Sequence, residues 1–410
     1  MDEQDAHLAA QYEAYPYPRR DPRDEARRLI VGSPGHLREI DHWVFGAARS
    51  RRVPLTALIA GGGTGDATIM LATQMARAGR PGRVTWLDRS KAALKIARDR
   101  AAARGLDNVD FVEASLLDLP RLGVGPFDYV DCCGVLHHLP DPAAGLAALT
   151  SVLAPGGGIG LMVYAPHGRT GVYMLQDALR LLAPIEEPPA ARIEVARKVM
   201  RLLPESAWLR RNSYFGDHID GGDAGLYDLL LNPRDRAFDI PALFHLVEGA
   251  GLRITCLLEP TRYDPATWLP DPKLRAKAAS LSPMQRAALA EALSGLMSTH
   301  VVYCARAGAV PAPPDPMRPD AVPVGRELPG DELAKRIQPD RTLPMMFEGV
   351  RVPVPLPAMA GPLLRLVDGI RTVGEIEAAL RLDAAAFART WRSTYDALVG
   401  LNQLLLAAPA

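Results

Sequence analysis

The sequence predicts an α/β protein: a doubly wound parallel sheet carrying a helical insertion, followed by a small, mainly helical C-terminal domain. Three observations predict it. From residue 55 to about residue 164, short apolar runs alternate with segments whose apolar residues recur at helical spacing, the pattern of strands joined by crossover helices. The first run, Leu55-Thr56-Ala57-Leu58-Ile59-Ala60, leads straight into Gly61-Gly62-Gly63-Thr64-Gly65 and a helix-compatible stretch. Strand, glycine turn and helix N-terminus in that order let backbone N–H groups approach a ligand closely. Far downstream, Pro311, Pro313, Pro314, Pro316, Pro319 and Pro323 break both helix and sheet and mark a linker.

At 410 residues the chain has room for two or three units. Tyr12, Tyr15 and Tyr17, interleaved with Pro16 and Pro18, make a stiff aromatic segment. It reads either as a strap packed on the surface or as a lid over a ligand site. Leu37 to Phe45 has helical spacing. After the glycine turn, Arg83–Asp88 reads as a strand ending in an acid, and Ser90 is placed to cap a helix running to Arg104. Val109–Val112 and Phe127–Cys132 are further strands. A helix over Ala143–Leu153 precedes the turn Pro155-Gly156-Gly157, and Ile159–Tyr164 is another buried strand. In such Rossmann-like sheets a ligand lies beyond the carboxyl ends of the strands, which brings Gly61–Gly65, Asp88, Ser115, Cys133 and Tyr164 to one side.

Residues 165–235 interrupt the rhythm with two amphipathic helices, 171–182 and 190–203, and a polar loop over 214–225. A helix over 242–250 capped by Gly251, a strand over 252–258, a helix over 282–298 and a last strand over 300–306 complete the sheet. The expected organisation is therefore an N-terminal strap and helix (1–50), a core domain (51–306) with its insertion, a linker (307–325) and a C-terminal domain (326–410). In that last domain 372–380, 384–392 and 394–406 read as helices of winged-helix type, without a basic recognition helix.

Forty-seven basic residues balance forty-seven acidic ones, so no global field draws the chain to nucleic acid. The four cysteines show no metal or redox spacing, and no metal is expected. An acidic, polar start and the lack of a long apolar run exclude a signal peptide and a bilayer span, so a cytoplasmic protein is expected.

Taken in order, Leu58-Ile59-Ala60-Gly61-Gly62-Gly63-Thr64-Gly65, Asp88, Phe127-Asp128-Tyr129-Val130, Val135-Leu136-His137-His138-Leu139 and Leu153-Ala154-Pro155-Gly156-Gly157 resemble the class I S-adenosylmethionine-dependent methyltransferases, over roughly residues 50–165. The opening Tyr12-Glu13, Tyr15-Pro16-Tyr17-Pro18-Arg19 and Asn232-Pro233-Arg234-Asp235-Arg236 are similar, more narrowly, to methyltransferase domains joined to tetratricopeptide repeats, although no such repeats are present. The resemblance implies S-adenosylmethionine as cofactor and S-adenosylhomocysteine as product. It assigns Ala60, Gly61, Gly63 and Gly65 to the methionine arm, Asp88 to the ribose, and Arg89, Ser115, Leu116 and Cys133 to the remaining contacts, with Tyr12 and Tyr17 from the strap. Two positions depart from the family pattern. Ile59 stands where an acid often reaches the cofactor's amino group, and Ser115 stands where an aspartate often faces the adenine.

Methyl transfer from a sulfonium asks mainly for a nucleophile held in line. A base is needed only when the nucleophile carries a proton in the transition state. His137, His138 and Tyr164 are the candidates, the two histidines reading equally as a packed ring and a backbone cap. Arg234 and Arg236 are candidates for an anionic substrate group, or for a salt bridge fixing the insertion. The acceptor, a protein side chain or a small molecule, is left open, and a homodimer is possible. The competing readings are a non-catalytic cofactor-binding module and an NAD-dependent oxidoreductase, since the spacing of Asp88 from the glycines also suits a dinucleotide.

Overall fold

A computed structural model describes residue 7, residues 12–212 and residues 221–409. The alternation read from the sequence is there: β1 (Leu55–Ala60), α1 (Asp66–Arg77), β2 (Gly82–Asp88), α2 (Lys91–Ala103), β3 (Val109–Glu113), β4 (Phe127–Cys133), α3 (Pro142–Ser151) and β5 (Leu153–Tyr164). The Ser90 hydroxyl caps α2 by accepting the Ala93 N–H at 3.1 Å. After the insertion helices α4 (Val172–Leu182) and α5 (Pro189–Leu202) come α6 (Ile240–Gly249), β6 (Leu252–Leu257), α7 (Pro283–Ser294) and β7 (Thr299–Arg306). The seven strands form one sheet in the order β3-β2-β1-β4-β5-β7-β6.

The sheet is not wholly parallel. β1 to β5 run parallel, but β7 lies antiparallel to both β5 and β6. A buried strand's apolar pattern carries no direction, so the expected parallel sheet gave β7 a sense that its pattern does not fix and that its antiparallel pairing corrects. β5 also starts earlier than expected, at Leu153, because Pro155-Gly156-Gly157 is absorbed where its register with β4 shifts.

Alternate residues of the central strands feed two cores. Leu58, Val130, Leu161 and Val302 pack against Leu146 and Leu149 of α3 and Leu243 and Val247 of α6. Ala57, Ile59, Tyr129 and Tyr303 face Leu71 and Met75 of α1 and the short helical segments Leu37–Glu39 and Ile40–Val44. α4 and α5 form a separate apolar cluster with the turn Tyr227–Leu231 and with Tyr15 of the N-terminal segment. Of the polar loop expected over 214–225, residues 213–220 lie outside the described residues, and Gly222–Leu226 is helical.

The C-terminal segment is mainly helical, with two small sheets. β8 (Val322–Gly325), inside the expected linker, pairs antiparallel with the last strand, and β9 (Thr342–Phe347) and β10 (Val350–Pro355) form a hairpin. The two helices expected over 384–392 and 394–406 are instead one helix, α8 (Ala384–Gly400), followed by β11 (Leu404–Ala407). Leu404, Leu405 and Leu406 are all fully buried, as a short strand covered on both faces requires, whereas an amphipathic helix end would expose one of them. This segment docks on the N-terminal helical turn: the Leu406 N–H donates to His42 Nδ1 at 2.9 Å, and Glu39 accepts from Asn402 at 2.6 Å and from Arg326.

Candidate active site

At the carboxyl ends of β1, β2, β4 and β5 lies a cavity of about 790 Å³, within the size range of small-molecule sites. Its floor is the turn between β1 and α1. Gly61 and Gly63 both have positive φ, +73° and +47°, and a Cβ on Gly61 would lie 2.3 Å from the Val135 side chain. Glycine is required there by packing as well as by backbone conformation. Asp88, at the end of β2, braces this turn: its Oδ2 accepts the Gly63 N–H and its Oδ1 the Ser90 N–H, both at 2.9 Å. The carboxylate lines the cavity with acceptor capacity left for a pair of hydroxyls.

The aromatic N-terminal segment forms one wall. Tyr12, Glu13, Pro16, Tyr17 and Pro18 line the cavity. The Pro18 carbonyl accepts from the Thr64 hydroxyl at 2.8 Å, and Arg20 pairs with Asp66 at 2.5 Å. Glu13 accepts from the Ser90 hydroxyl at 2.8 Å and from the Ala92 N–H at 3.2 Å, placing a carboxylate on the positive end of α2.

Opposite, the wall is built by β4, β5 and the insertion. Asp228, on the turn Tyr227–Leu231, accepts from the Tyr12 hydroxyl at 2.9 Å and from the Tyr164 hydroxyl at 3.3 Å. Burial, and then the Asp228 charge, push both phenols well above their ordinary range, so Tyr12 and Tyr164 act as neutral hydrogen-bond donors. Behind Tyr164 sits the buried Arg169, its guanidinium 3.6 Å above the ring and held to Asp235 at 3.0 Å.

The adjacent histidines separate in role. His137 is fully buried, stacked on Tyr164 at 3.8 Å, and neither ring nitrogen has a hydrogen-bond partner. Burial, His138 and Arg169 hold its pKa well below the ordinary value, so it is a neutral packing ring and does not reach the cavity. His138 does line it. Its Nδ1 lies 2.7 Å from the Arg234 carbonyl; a carbonyl only accepts, so Nδ1 carries the proton and Nε2 keeps its lone pair.

Of the residues expected from the sequence, Gly61, Gly63, Asp88, Arg89, Ser115, Leu116, Cys133, Tyr12, Tyr17, His138 and Tyr164 line the cavity. Ala60 is buried in β1, and Gly65 starts α1, one step behind the lining. Arg234 and Arg236 do not line it: they contribute backbone, the Arg234 carbonyl to His138 and the Arg236 N–H to the His137 carbonyl at 3.2 Å. Asp235, between them, points inward to Arg169 because successive residues of an extended segment face opposite ways. Sequence reasoning missed Glu13, Asp131 and Asp228. The last two had a signal, an acid set inside an apolar run (Val130-Asp131-Cys132 and Asp228-Leu229-Leu230-Leu231).

The strand order, the braced glycine turn and an acid at the end of the second strand define an α/β enzyme that holds an adenosyl cofactor. Residues 58–159 match the family described as Methyltransferase domain. The chain is 32% identical over 290 residues to the uncharacterized protein syc1184_c of Synechococcus, covering 70% of this chain and 68% of that protein. It is 36% identical over 88 residues to a ubiquinone biosynthesis O-methyltransferase of Albidiferax ferrireducens, 22% of this chain and 34% of that one. To the protein of the same name from Caulobacter vibrioides it is 35% identical over 156 residues, 37% and 58% of the two chains. Its fold is similar to that of PKMT2 from Rickettsia typhi in complex with AdoHcy, with a TM-score of 0.64 at 15% identity, covering 92% of this chain and 75% of that one. The chain belongs to the S-adenosylmethionine-dependent methyltransferases. Among its described residues no helix is long and apolar enough to cross a membrane.

Proposed function

We propose that this methyltransferase acts on a hydroxyl oxygen of a small molecule, with His138 accepting the proton. The observation that carries this reading is the 2.7 Å contact between His138 Nδ1 and the Arg234 carbonyl, which commits Nδ1 as donor and leaves Nε2 as the acceptor on a cavity-lining ring. The cofactor supplies a methyl group made electrophilic by its sulfonium. An alcohol or phenol must shed its proton as the new bond forms, and a positioned imidazole serves that need. Asp228 orients Tyr12 and Tyr164, whose faces and hydroxyls shape the acceptor side. The relatives named as O-methyltransferases, similar over part of this chain, support the choice of oxygen. The narrower likeness to methyltransferase domains joined to tetratricopeptide repeats belongs to the same reading and adds no acceptor.

The test uses the full chain with methyl-labelled S-adenosylmethionine and a cell extract separated into small-molecule and protein fractions. Label is expected in small molecules as a methyl ether identified by mass spectrometry, and the His138→Gln protein should not produce it. Label confined to protein would overturn the proposal.

A further inference from the structure

The family resemblance implies an acid for the cofactor's amino group at the β1 position that here holds Ile59, yet a carboxyl group stands one strand away. Asp131 is the register partner of Ile59 across the β1–β4 pair. Paired residues of adjacent strands leave the same face of a sheet, and both residues line the cavity.

The surroundings of Asp131 leave it open on one side. It is fully buried; its Oδ2 accepts from the Tyr129 hydroxyl at 2.8 Å, and its Oδ1 has no hydrogen-bond partner. Among the described residues no lysine, arginine or histidine pairs with it. Buried polar atoms are almost always satisfied, so an orphaned carboxyl oxygen beside a ligand cavity points to a group that arrives with the ligand. Glu39, the other acid on this face, is fully engaged by Tyr303, Ser33, Asn402 and Arg326. The Tyr129–Asp131 pair itself is accommodated by glycines. A Cβ on Gly35 would lie 2.8 Å from Asp131 Oδ2, and one on Gly160, the β5 partner of Asp131, would lie 2.1 Å from the Tyr129 hydroxyl.

We propose that Asp131 receives the α-ammonium group of the cofactor's methionine arm, serving from β4 the role that Ile59 leaves vacant in β1. An ammonium brings three donors and the opposite charge, which satisfies Oδ1 and favours the ionised carboxylate. The proposal rests on the adenosyl cofactor and not on the identity of the methyl acceptor.

The experiment is calorimetric binding of two ligands to the full chain and to Asp131→Asn. S-adenosylhomocysteine carries the ammonium; 5′-methylthioadenosine keeps the adenosine and sulfur but lacks the amino-acid arm. Asp131→Asn should weaken S-adenosylhomocysteine by roughly 10- to 100-fold, the worth of a buried charge-assisted pair, and leave methylthioadenosine within about twofold. A change below about threefold for S-adenosylhomocysteine overturns the proposal. So does a parallel loss of both ligands, which would assign Asp131 to the integrity of the fold. If the unaltered chain binds neither ligand, the cofactor reading itself fails, and that outcome is distinct from the other two.

Discussion

Glu25 lies outside the cavity, yet replacing it with glutamine should reach the cofactor. Its side chain is 3% exposed; Oε1 accepts from Arg100 Nε at 2.6 Å and Oε2 from Arg104. The Arg100 guanidinium, 1% exposed, also donates to the Thr64 carbonyl of the glycine turn at 2.8 Å and to Asp66 at 2.7 Å. Glu25→Gln leaves that buried cation with Asp66 alone, a carboxylate it already shares with Arg20. Breaking a buried ion pair costs about 3–5 kcal/mol, and the surviving Asp66 contact puts this case near the lower end. At roughly 2–4 °C per kcal/mol for a domain of this kind, Tm of the cofactor-free protein should fall by roughly 6–12 °C. With Arg100 loosened, the Thr64 carbonyl is held less firmly, and the Kd for S-adenosylhomocysteine should rise by roughly 3- to 10-fold. Differential scanning calorimetry and titration calorimetry read the two effects. A Tm change under roughly 2 °C would refute the reasoning, because the network would then be worth no more than a surface pair.

Asp88→Ala removes the acceptor of two backbone N–H groups as well as the ribose contact that the family resemblance implies. Affinity for S-adenosylhomocysteine should drop by about 100-fold or more, and an unchanged calorimetric Kd would refute the ribose assignment. His138→Gln should lower kcat by roughly 10²- to 10⁴-fold while cofactor affinity stays within about threefold; an unaltered kcat would end its role as base. Tyr12→Phe removes the 2.9 Å bond to Asp228 and should speed proteolytic cleavage of the N-terminal strap, which a rate equal to that of the unaltered chain would contradict. Burial raises the Asp131 carboxyl to about 7, and Asp41 shows the same sign at about 6. The folded chain therefore keeps protons that the unfolded chain releases near pH 4. The stability this confers is complete below about pH 4 and is lost as pH rises towards 7. In denaturant titrations at pH 5 and pH 7, the cofactor-free Asp131→Asn protein should lose about 2 kcal/mol less between the two than the unaltered chain. Equal pH responses would refute the assignment.

Legibility in the sequence followed whether a feature is local. The glycine turn, the Ser90 cap and the acid ending β2 are set by residues a few positions apart, and their readings match the geometry. The sense of β7 and the pairing of β8 with β11 depend on partners that the local pattern does not name. Within the site, the histidine pair was visible but its division was not. One ring stacks on Tyr164 and the other bonds to the Arg234 carbonyl 96 residues away. The arginines at 234 and 236 drew attention by charge, while Asp235 between them is the side chain that turns inward.

The boundary of the matched methyltransferase domain divides the site in a way that bears on specificity. Residues 58–159 contain the glycine turn, Asp88, Asp131 and His138, the residues to which the proposals above give cofactor binding and proton transfer. Tyr12, Tyr164, Arg169 and Asp228 all fall outside that span, in the strap, the end of β5 and the insertion. These outer residues hold one another: Asp228 joins Tyr12 to Tyr164, and Arg169 backs the Tyr164 ring. This wall of the cavity is thus assembled from the strap, the end of β5 and the insertion, and Tyr12 meets Asp228 across 216 residues of chain. Such a wall can change its shape by substitutions in strap or insertion without disturbing the glycine turn. The family match, confined to residues 58–159, therefore carries the reaction type to this chain and not the acceptor; on the proposed reading, the acceptor is a ligand that fits between Tyr12, Tyr164 and Asp228.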